Sequence, residues 1–451
     1  MTVEAEDSSL SGYLGEALRA LREAGASIGD RIKVEKPGKT VEGILMPRIE
    51  LGDRECIVVK LSNGYNVGVK ADRETRVKVL EKRGPPAEFK LPLPEENPEL
   101  PLVEVLGTGG TIASRVEYRT GAVYPSLSTE ELYRAVPELA EIARIRAKVL
   151  YSLLSENMTP QIWSSIARAV AEAFRREASG VVIAHGTDTM GYTAAALSFA
   201  LQNLPAPVVL VGSQRSSDRP SSDAALNLMG AVRAAAYAPF AEVTVAMHEW
   251  ISDETIVLHR GTKVRKLHTS RRDAFKSVNA KPLARIVNGQ IVMLTGDYRP
   301  RNPEAELKLE AEFEPKVALV KFYPGFNPEV LDWYVDKGYR GIILEGTGLG
   351  HVSEACYPAI RRAVEKGVLV GMTSQCLWGR VRLTVYETGR RLLSLGVIPL
   401  GDMLPETALV KAMWVLARTK SLEEAEALML ENLAGEISYR EFPESLGGGR
   451  R

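Results

Sequence analysis

At 451 residues the chain is too long for a single hydrophobic core, because domains of roughly 100–150 residues are the usual unit. Its composition, 45% hydrophobic and 25% charged with 6% aromatic, excludes the disordered and membrane classes and fits a packed, soluble protein. Lys plus Arg equals Asp plus Glu at 57 each, which excludes a strong nonspecific field for a nucleic-acid backbone: DNA binding is not expected, and any RNA contact is local or delegated.

Leu10, Tyr13, Leu14, Ala17, Leu18 and Leu21 recur at helical spacing, so an amphipathic helix is expected over 9–25 within an N-terminal segment 1–27, with Gly25 as its stop. The acidic start, Met1-Thr2-Val3-Glu4-Ala5-Glu6-Asp7, lacks the apolar centre of a secretory signal. Nor does any run of about 18 apolar residues occur. Cys56, Cys356 and Cys376 show no spacing for metal or disulfides, so free thiols in the cytoplasm are the expectation.

Residues 28–83 change texture to short β-rich runs, Arg31–Val34, Thr40–Pro47, Cys56–Leu61, Tyr65–Val69 and Arg76–Val79, which predict a small barrel. Ser62-Asn63-Gly64 marks a hairpin, since Asn-Gly accepts positive backbone angles. Pro85, Pro86, Pro92, Pro94, Pro98 and Pro101 make 84–101 a linker.

Strands and helices then alternate, the pattern of parallel sheets with crossover helices. A larger α/β domain is expected over 102–300, an extended linker over 301–315 and a smaller α/β domain over 316–445. Leu102–Leu106, Gly180–Ala184 and Pro207–Val211 read as buried strands of the first domain; Val317–Val320, Gly341–Leu344 and Val368–Met372 as those of the second. Ser128 with Glu131, Thr159 with Pro160, Asn327 with Pro328 and Ser421 with Glu424 mark helix starts.

Ligands of open parallel sheets bind beyond the carboxyl ends of strands. Two Thr-rich turns stand there. In Gly107-Thr108-Gly109-Gly110-Thr111 the glycines let backbone amides approach a ligand, and Thr111 is placed to attack. A dinucleotide loop is the competing reading, but Ile112 stands where a third glycine belongs, and no Gly-Lys-Ser/Thr follows. In His185-Gly186-Thr187-Asp188-Thr189 the residues after the strand open a helix; Asp188 and Thr189 could simply cap it, yet four polar residues in five exceed what a cap requires. A threonine hydroxyl needs a base, and Arg260–Thr269 supplies lysines, although basic runs are more often solvated surface. The residues alone do not single out one lysine. The histidines at 185, 248, 259, 268 and 351 show no metal-ligand spacing.

These two motifs, with Ser155-Glu156-Asn157-Met158, Val211-Gly212-Ser213-Gln214-Arg215, Lys266 through Phe275-Lys276-Ser277-Val278-Asn279, Gly346–His351 and Asp402-Met403-Leu404-Pro405-Glu406, resemble the bacterial-type L-asparaginase family in order and spacing over about 102–435. The resemblance implies an asparaginase-like pair of α/β domains with mostly parallel sheets behind the small N-terminal β-barrel. It further implies a catalytic set of Thr111, Thr187, Asp188 and Lys266, with Tyr124 bonding Thr111. Ser155 and Glu156 would hold the substrate's α-substituents, and backbone around Gly110 and Thr187 would form the oxyanion pocket. The implied route is an acyl-enzyme that releases ammonia; which threonine attacks first stays open. Glu156 and Asn157 replace a common glutamine and aspartate, which fits a shift from asparagine towards glutamine.

The extra N-terminal region, with Gly29-Asp30-Arg31-Ile32-Lys33-Val34 opening the barrel, is similar to that of the D-subunit family of archaeal glutamyl-tRNA(Gln) amidotransferases. That resemblance implies glutamine hydrolysis here, with no cofactor bound by this chain. It implies an E subunit that uses ATP and Mg with the ammonia to convert Glu-tRNA(Gln) to Gln-tRNA(Gln), holding most of the tRNA. A homodimer of this chain within a heterotetramer is implied too, the Gly348–His351 region facing the neighbour's site. The alternatives are a free-standing asparaginase or glutaminase with an added module, and a non-catalytic RNA-binding scaffold.

Overall fold

The computed structural model describes residues 10, 12–46, 53–61, 66–82, 97–110, 114–116, 123–125, 128–215 and 222–440, the side chains at 66, 114–116, 123–125 and 134 excepted. Two compact units are distinguished: 1–93 with 113–126 and 215–222, and 94–112 with 127–214 and 223–451.

In the first unit, helix α1 spans Gly15–Glu23 and precedes strands β1 (Arg31–Lys36), β2 (Lys39–Leu45), β3 (Cys56–Lys60), β4 (Asn66–Lys70) and β5 (Arg76–Glu81). The strands form one antiparallel sheet in the order β4-β3-β2-β1-β5. The helix is shorter than its apolar spacing predicts. Gly12 and Gly15 take φ values of 96° and 57°, outside the right-handed helical region, so the regular turns begin only at Gly15. Its end is as expected: Gly25 at φ 59° lets the Gly25 and Ala26 N–H groups reach the carbonyls of Arg22 and Leu21, closing the last turn. Ala17 and Leu21 of α1 pack on Ile32, Val34, Ile57 and Val59, and the buried Tyr13 hydroxyl donates to the Met46 carbonyl at 2.7 Å. The register Lys60↔Asn66 brackets the predicted Ser62-Asn63-Gly64 hairpin, which lies outside the described residues.

The second unit opens with β6 (Leu102–Gly109); the short hairpin β7 (Ser114–Val116) and β8 (Val123–Pro125) that follows is counted with the first. Then come α2 (Thr129–Ala135), β9 (Arg144–Leu153), α3 (Pro160–Arg175), β10 (Gly180–Ala184), α4 (Met190–Ala200), β11 (Leu201–Gln202), β12 (Val208–Val211), α5 (Ala224–Tyr237), β13 (Val243–His248) and β14 (Thr255–Arg260). The hairpin β15 (Val264–Lys266) and β16 (Phe275–Ser277) precedes β17 (Ala284–Val287) and β18 (Gln290–Met293). Strand β19 (Lys308–Leu309) pairs with β11. The remainder is β20 (Val317–Lys321), α6 (Glu329–Asp336), β21 (Gly341–Gly346), α7 (Tyr357–Glu365), β22 (Leu369–Ser374), α8 (Glu387–Ser394), β23 (Ile398–Pro399), α9 (Pro405–Leu416) and α10 (Leu422–Leu430).

The larger sheet has the order β18-β17-β14-β13-β12-β10-β6-β9, parallel from β9 to β13 and antiparallel beyond. The smaller sheet, β20-β21-β22-β23, is wholly parallel. Strand β6 runs on to Gly109 rather than stopping at Leu106 as read from the sequence. The reason is β9, whose alternating Arg144-Ile145-Arg146-Ala147 pattern supplies a partner along almost its whole length. Ser128 and Glu131 make the reciprocal cap of α2, and Thr159 accepts from the Ile162 N–H at the start of α3. Helix α4, Met-Gly-Tyr-Thr-Ala-Ala-Ala-Leu-Ser-Phe-Ala, is apolar nearly all round and is accordingly buried on two sides. Met190, Ala194 and Leu197 face the larger sheet's core, while Ala195 and Phe199 pack with Ala408, Ala412 and Trp414 of α9.

Candidate functional site

Chain order along the parallel strands of the larger sheet reverses at β6: β9 lies on one side of it and β10, β12 and β13 on the other. Such a switch point leaves a crevice between diverging loops at the carboxyl ends of the two strands. Those ends are Gly107–Gly109 of β6 with Gly110 just beyond, and His185–Thr189 after β10.

Glycine makes their approach possible. Gly110 has φ 83°, and a Cβ there would lie 2.7 Å from the Gly186 backbone nitrogen; at Gly109, φ 120°, one would lie 2.1 Å from the Leu153 carbonyl oxygen. A Cβ on Gly186 would meet Ser155 Cβ at 2.8 Å. Hydrogen bonds fix the same three loops to one another. Thr108 Oγ1 donates to the Ala184 carbonyl at 3.0 Å, and Thr189 Oγ1 to the Ser155 carbonyl at 2.6 Å. Thr108 is therefore a buried strand residue, not part of the exposed turn.

At the mouth of the crevice Lys266, from β15, donates from Nζ to Thr187 Oγ1 and to Asp188 Oδ1, both at 2.8 Å. The Lys266 side chain is 14% exposed and that of Asp188 68%. The capping reading of this turn is not what the structure shows: Thr189 precedes α4 without a side-chain bond to its first turn, and Asp188 is engaged by Lys266. Ser155 is buried in a short turn after β9, and Glu156 beside it is exposed. Thr111 lies outside the described residues, as does the side chain of Tyr124, whose backbone forms part of β8.

His185 is not among the reacting groups. Buried behind the turn, its Nδ1–H donates to the Gly186 carbonyl at 2.6 Å, which leaves Nε2 to accept from Thr193 Oγ1 at 2.9 Å; Thr193 in turn accepts from Trp163 Nε1 at 3.0 Å. Burial pushes its pKa down to about 4, so the ring is neutral near pH 7. A second support went unread in the sequence. Asp223 carboxylate oxygens accept from the Gln214 N–H at 3.0–3.1 Å, and Asn227 Nδ2 donates to the Gly212 carbonyl at 2.9 Å, with His248 bonded to Asn227 Oδ1 at 2.6 Å. The available signal was Asp223 just before α5 and Asn227 four residues on, at helical spacing at the start of a mostly apolar helix. Among the described residues no group of three or more His, Cys, Asp or Glu is placed to hold a metal ion.

Known proteins share this frame. The families described as "Asparaginase, N-terminal" and "Glutaminase/Asparaginase C-terminal domain" match residues 102–298 and 316–429, and "GatD N-terminal domain" matches 26–80. The thermostable L-asparaginase from Thermococcus kodakarensis superposes with a TM-score of 0.67 at 37% identity, covering 75% of this chain and all of that one. L-asparaginase I from Vibrio cholerae gives 0.66 at 31%, again over 75% of this chain and 99% of its own. The part that those enzymes leave uncovered is matched by longer relatives. The D subunit of the glutamyl-tRNA(Gln) amidotransferase of Pyrococcus furiosus is 55% identical over 93% of this chain and 96% of its own length, and that of Thermofilum pendens is 50% identical over 97% and 99%. With the N-terminal domain, both asparaginase-type domains and near full-length identity all accounted for, the chain belongs to the family of glutamyl-tRNA(Gln) amidotransferase D subunits.

Proposed function

We propose that the chain is the glutamine-hydrolysing subunit of a Glu-tRNA(Gln) amidotransferase, releasing ammonia for a partner subunit that amidates Glu-tRNA(Gln). The observation that carries this reading is the contact of one Lys266 ammonium with both Thr187 Oγ1 and Asp188 Oδ1, beside the Gly110 and Gly186 backbone. A threonine hydroxyl becomes a nucleophile only with a base at hydrogen-bond distance. Lys266 Nζ stands at that distance from Thr187, where a lysine that has given up a proton takes the hydroxyl's, and the Asp188 carboxylate stabilises the lysine that holds it.

In this mechanism a threonine Oγ of the two loops adds to the carbonyl carbon of the glutamine side-chain amide. Its proton passes by way of Thr187 and Lys266 to the amide nitrogen. Backbone N–H groups around Gly110 and Thr187 hold the oxyanion. The C–N bond then breaks, ammonia leaves and water hydrolyses the resulting ester. Thr111 supplies the second hydroxyl, Tyr124 orients it, and Ser155 and Glu156 together hold the substrate's α-substituents, the Glu156 carboxylate suiting the α-ammonium. Nothing in this route asks for a metal or cofactor on this chain; ATP and Mg belong to the partner's step, as does most of the contact with tRNA. A homodimer of this chain completes the assembly.

The test is ammonia release from glutamine and from asparagine by the copurified complex, with and without charged tRNA. Thr187→Ala and Lys266→Ala are each expected to lower kcat by about a thousandfold or more with the melting temperature held, in line with removing a nucleophile's base. Parent-level turnover in either variant overturns the assignment of the site. A chain that purifies alone and turns over glutamine at full rate without a partner overturns the assignment of the function.

A further inference from the structure

The strand that presents Lys266 is gripped from its other side. Successive residues of a strand point to opposite faces, and Val264, Arg265 and Lys266 of β15 divide accordingly, with Lys263 in the turn just before the strand. Val264 is buried in the core that contains Met190, and Lys266 reaches Thr187 and Asp188. Lys263 and Arg265 reach instead to the lead-in and the first turn of α9. Lys263 Nζ donates to Asp402 Oδ2 at 2.7 Å, and Arg265 Nη2 lies 3.1 Å from Glu406 Oε1.

The first of these pairs is sealed, with side chains 0% and 1% exposed. The rest of Asp402 is committed as well: Oδ1 accepts from the Ser438 N–H at 2.8 Å, and its carbonyl from Asn279 Nδ2 at 3.2 Å. Asn279, just beyond β16, exchanges hydrogen bonds with Gly379 in both directions, at 3.2 and 3.0 Å. Thr407 Oγ1 donates to the Thr262 carbonyl at 2.9 Å. The β15–β16 hairpin is thus tied to the smaller domain on the flank opposite its reactive lysine.

A buried ion pair is seldom a net source of stability, because the desolvation of two charges offsets their attraction, and apolar residues of like volume would join the layers as well. What an ion pair adds is position. Apolar contacts tolerate sliding, whereas a lysine and a carboxylate held at 2.7 Å with every other acceptor of Asp402 in use fix the strand along its length.

We propose that Lys263 and Asp402 are positioning residues for glutamine hydrolysis, through which the smaller domain sets the place of the Lys266 ammonium against Thr187. This rests on the reading of Thr187 and Lys266 given above. Because a misplacement of about 1 Å can cost a hundredfold in rate, a clamp one residue from the catalytic strand has a direct lever on kcat.

The experiment uses the copurified complex and measures melting temperature, kcat and KM for glutamine. Lys263→Met combined with Asp402→Leu removes both charges and leaves none buried alone. It is expected to melt within about 5 °C of the parent, with KM within about twofold and kcat lowered roughly ten- to a hundredfold. Asp402→Glu keeps the pair but moves the carboxylate by one methylene, and a fall in kcat of about three- to tenfold at unchanged KM is expected; it decides the matter alone should the double variant not accumulate. Parent kcat in the folded double variant or in Asp402→Glu overturns the proposal. So does a loss confined to KM, or one that tracks loss of folded protein, either of which makes the pair structural. Lys266→Ala and Thr187→Ala are assayed alongside: full activity there refutes the site itself, a pattern distinct from intact Lys266 dependence with indifferent clamp variants.

Discussion

Lys266 illustrates what one side chain can and cannot disclose. Its neighbours Arg260, Lys263, Arg265 and Arg271 make the segment look like a solvated basic run, and nothing in residue type separates Lys266 from Lys263. In the fold they have opposite fates: one meets Thr187 and Asp188 at the crevice, the other is sealed against Asp402. His185 shows the converse. It sits inside a motif, yet its ring braces the turn through the Gly186 carbonyl, Thr193 and Trp163. Its burial has a consequence for pH. The unfolded chain takes up a proton on this histidine near pH 6.5, while the folded chain refuses it until about 4. Between those values the unfolded state holds more protons, so stability falls as pH falls through this window. His259, pushed to about 3 by burial and then by the Lys276 charge, acts with the same sign. Melting temperature is expected to drop from pH 6.5 to 4, and to drop less steeply in His185→Gln. An unchanged slope in that variant would contradict the assignment.

At the scale of elements, the loops after β6, β9 and β10 are what a catalytic crevice requires, and glycine decides how closely they pack. Gly110 combines φ 83° with backbone atoms of Gly186 and His185 at 2.7–2.9 Å from any Cβ. Gly110→Ala cannot relieve that contact by rotating a side chain; the β6 loop must move away from the Thr187 turn. We expect amide hydrolysis to fall by at least about tenfold, with the global fold kept, as measured by turnover beside a melting curve. Turnover at the parent level would mean that the two loops need not touch. The glycines of Gly107-Thr108-Gly109-Gly110 were legible as a close-approach motif. That Thr108 would be a buried strand residue was not, because the extent of β6 is set by β9, more than thirty residues away in sequence.

For the whole molecule, helices α4 and α9 form the seam between the larger and smaller sheets, one bearing the Thr187 turn at its start and the other following Asp402. Lys411 of α9 ties that helix to the end of α10 and the segment beyond: its Nζ donates to the Met429 carbonyl and to Glu436 Oε1, with the Lys411 and Glu436 side chains wholly buried. Leaving either charge alone is expensive: Lys411→Met is expected to lower unfolding stability by about 3–5 kcal/mol, read from denaturant or thermal unfolding of the complex. A loss below about 1 kcal/mol would show that the neighbourhood relaxes or admits water. No described helix is long and apolar enough to cross a membrane.

By itself the sequence determined the kinds of element, the succession of β-rich and α/β regions, and the two turns where threonines gather, since each follows from local periodicity, caps and glycines. It also carried the family, through motifs kept in order along the chain. Tertiary structure alone decided the rest. Strand pairing fixed how far β6 extends, the turn before β15 and the strand itself sent Lys263 and Lys266 to different partners, and burial made His185 a brace behind the turn. These depend on which surfaces meet across long stretches of chain, and no local pattern encodes that.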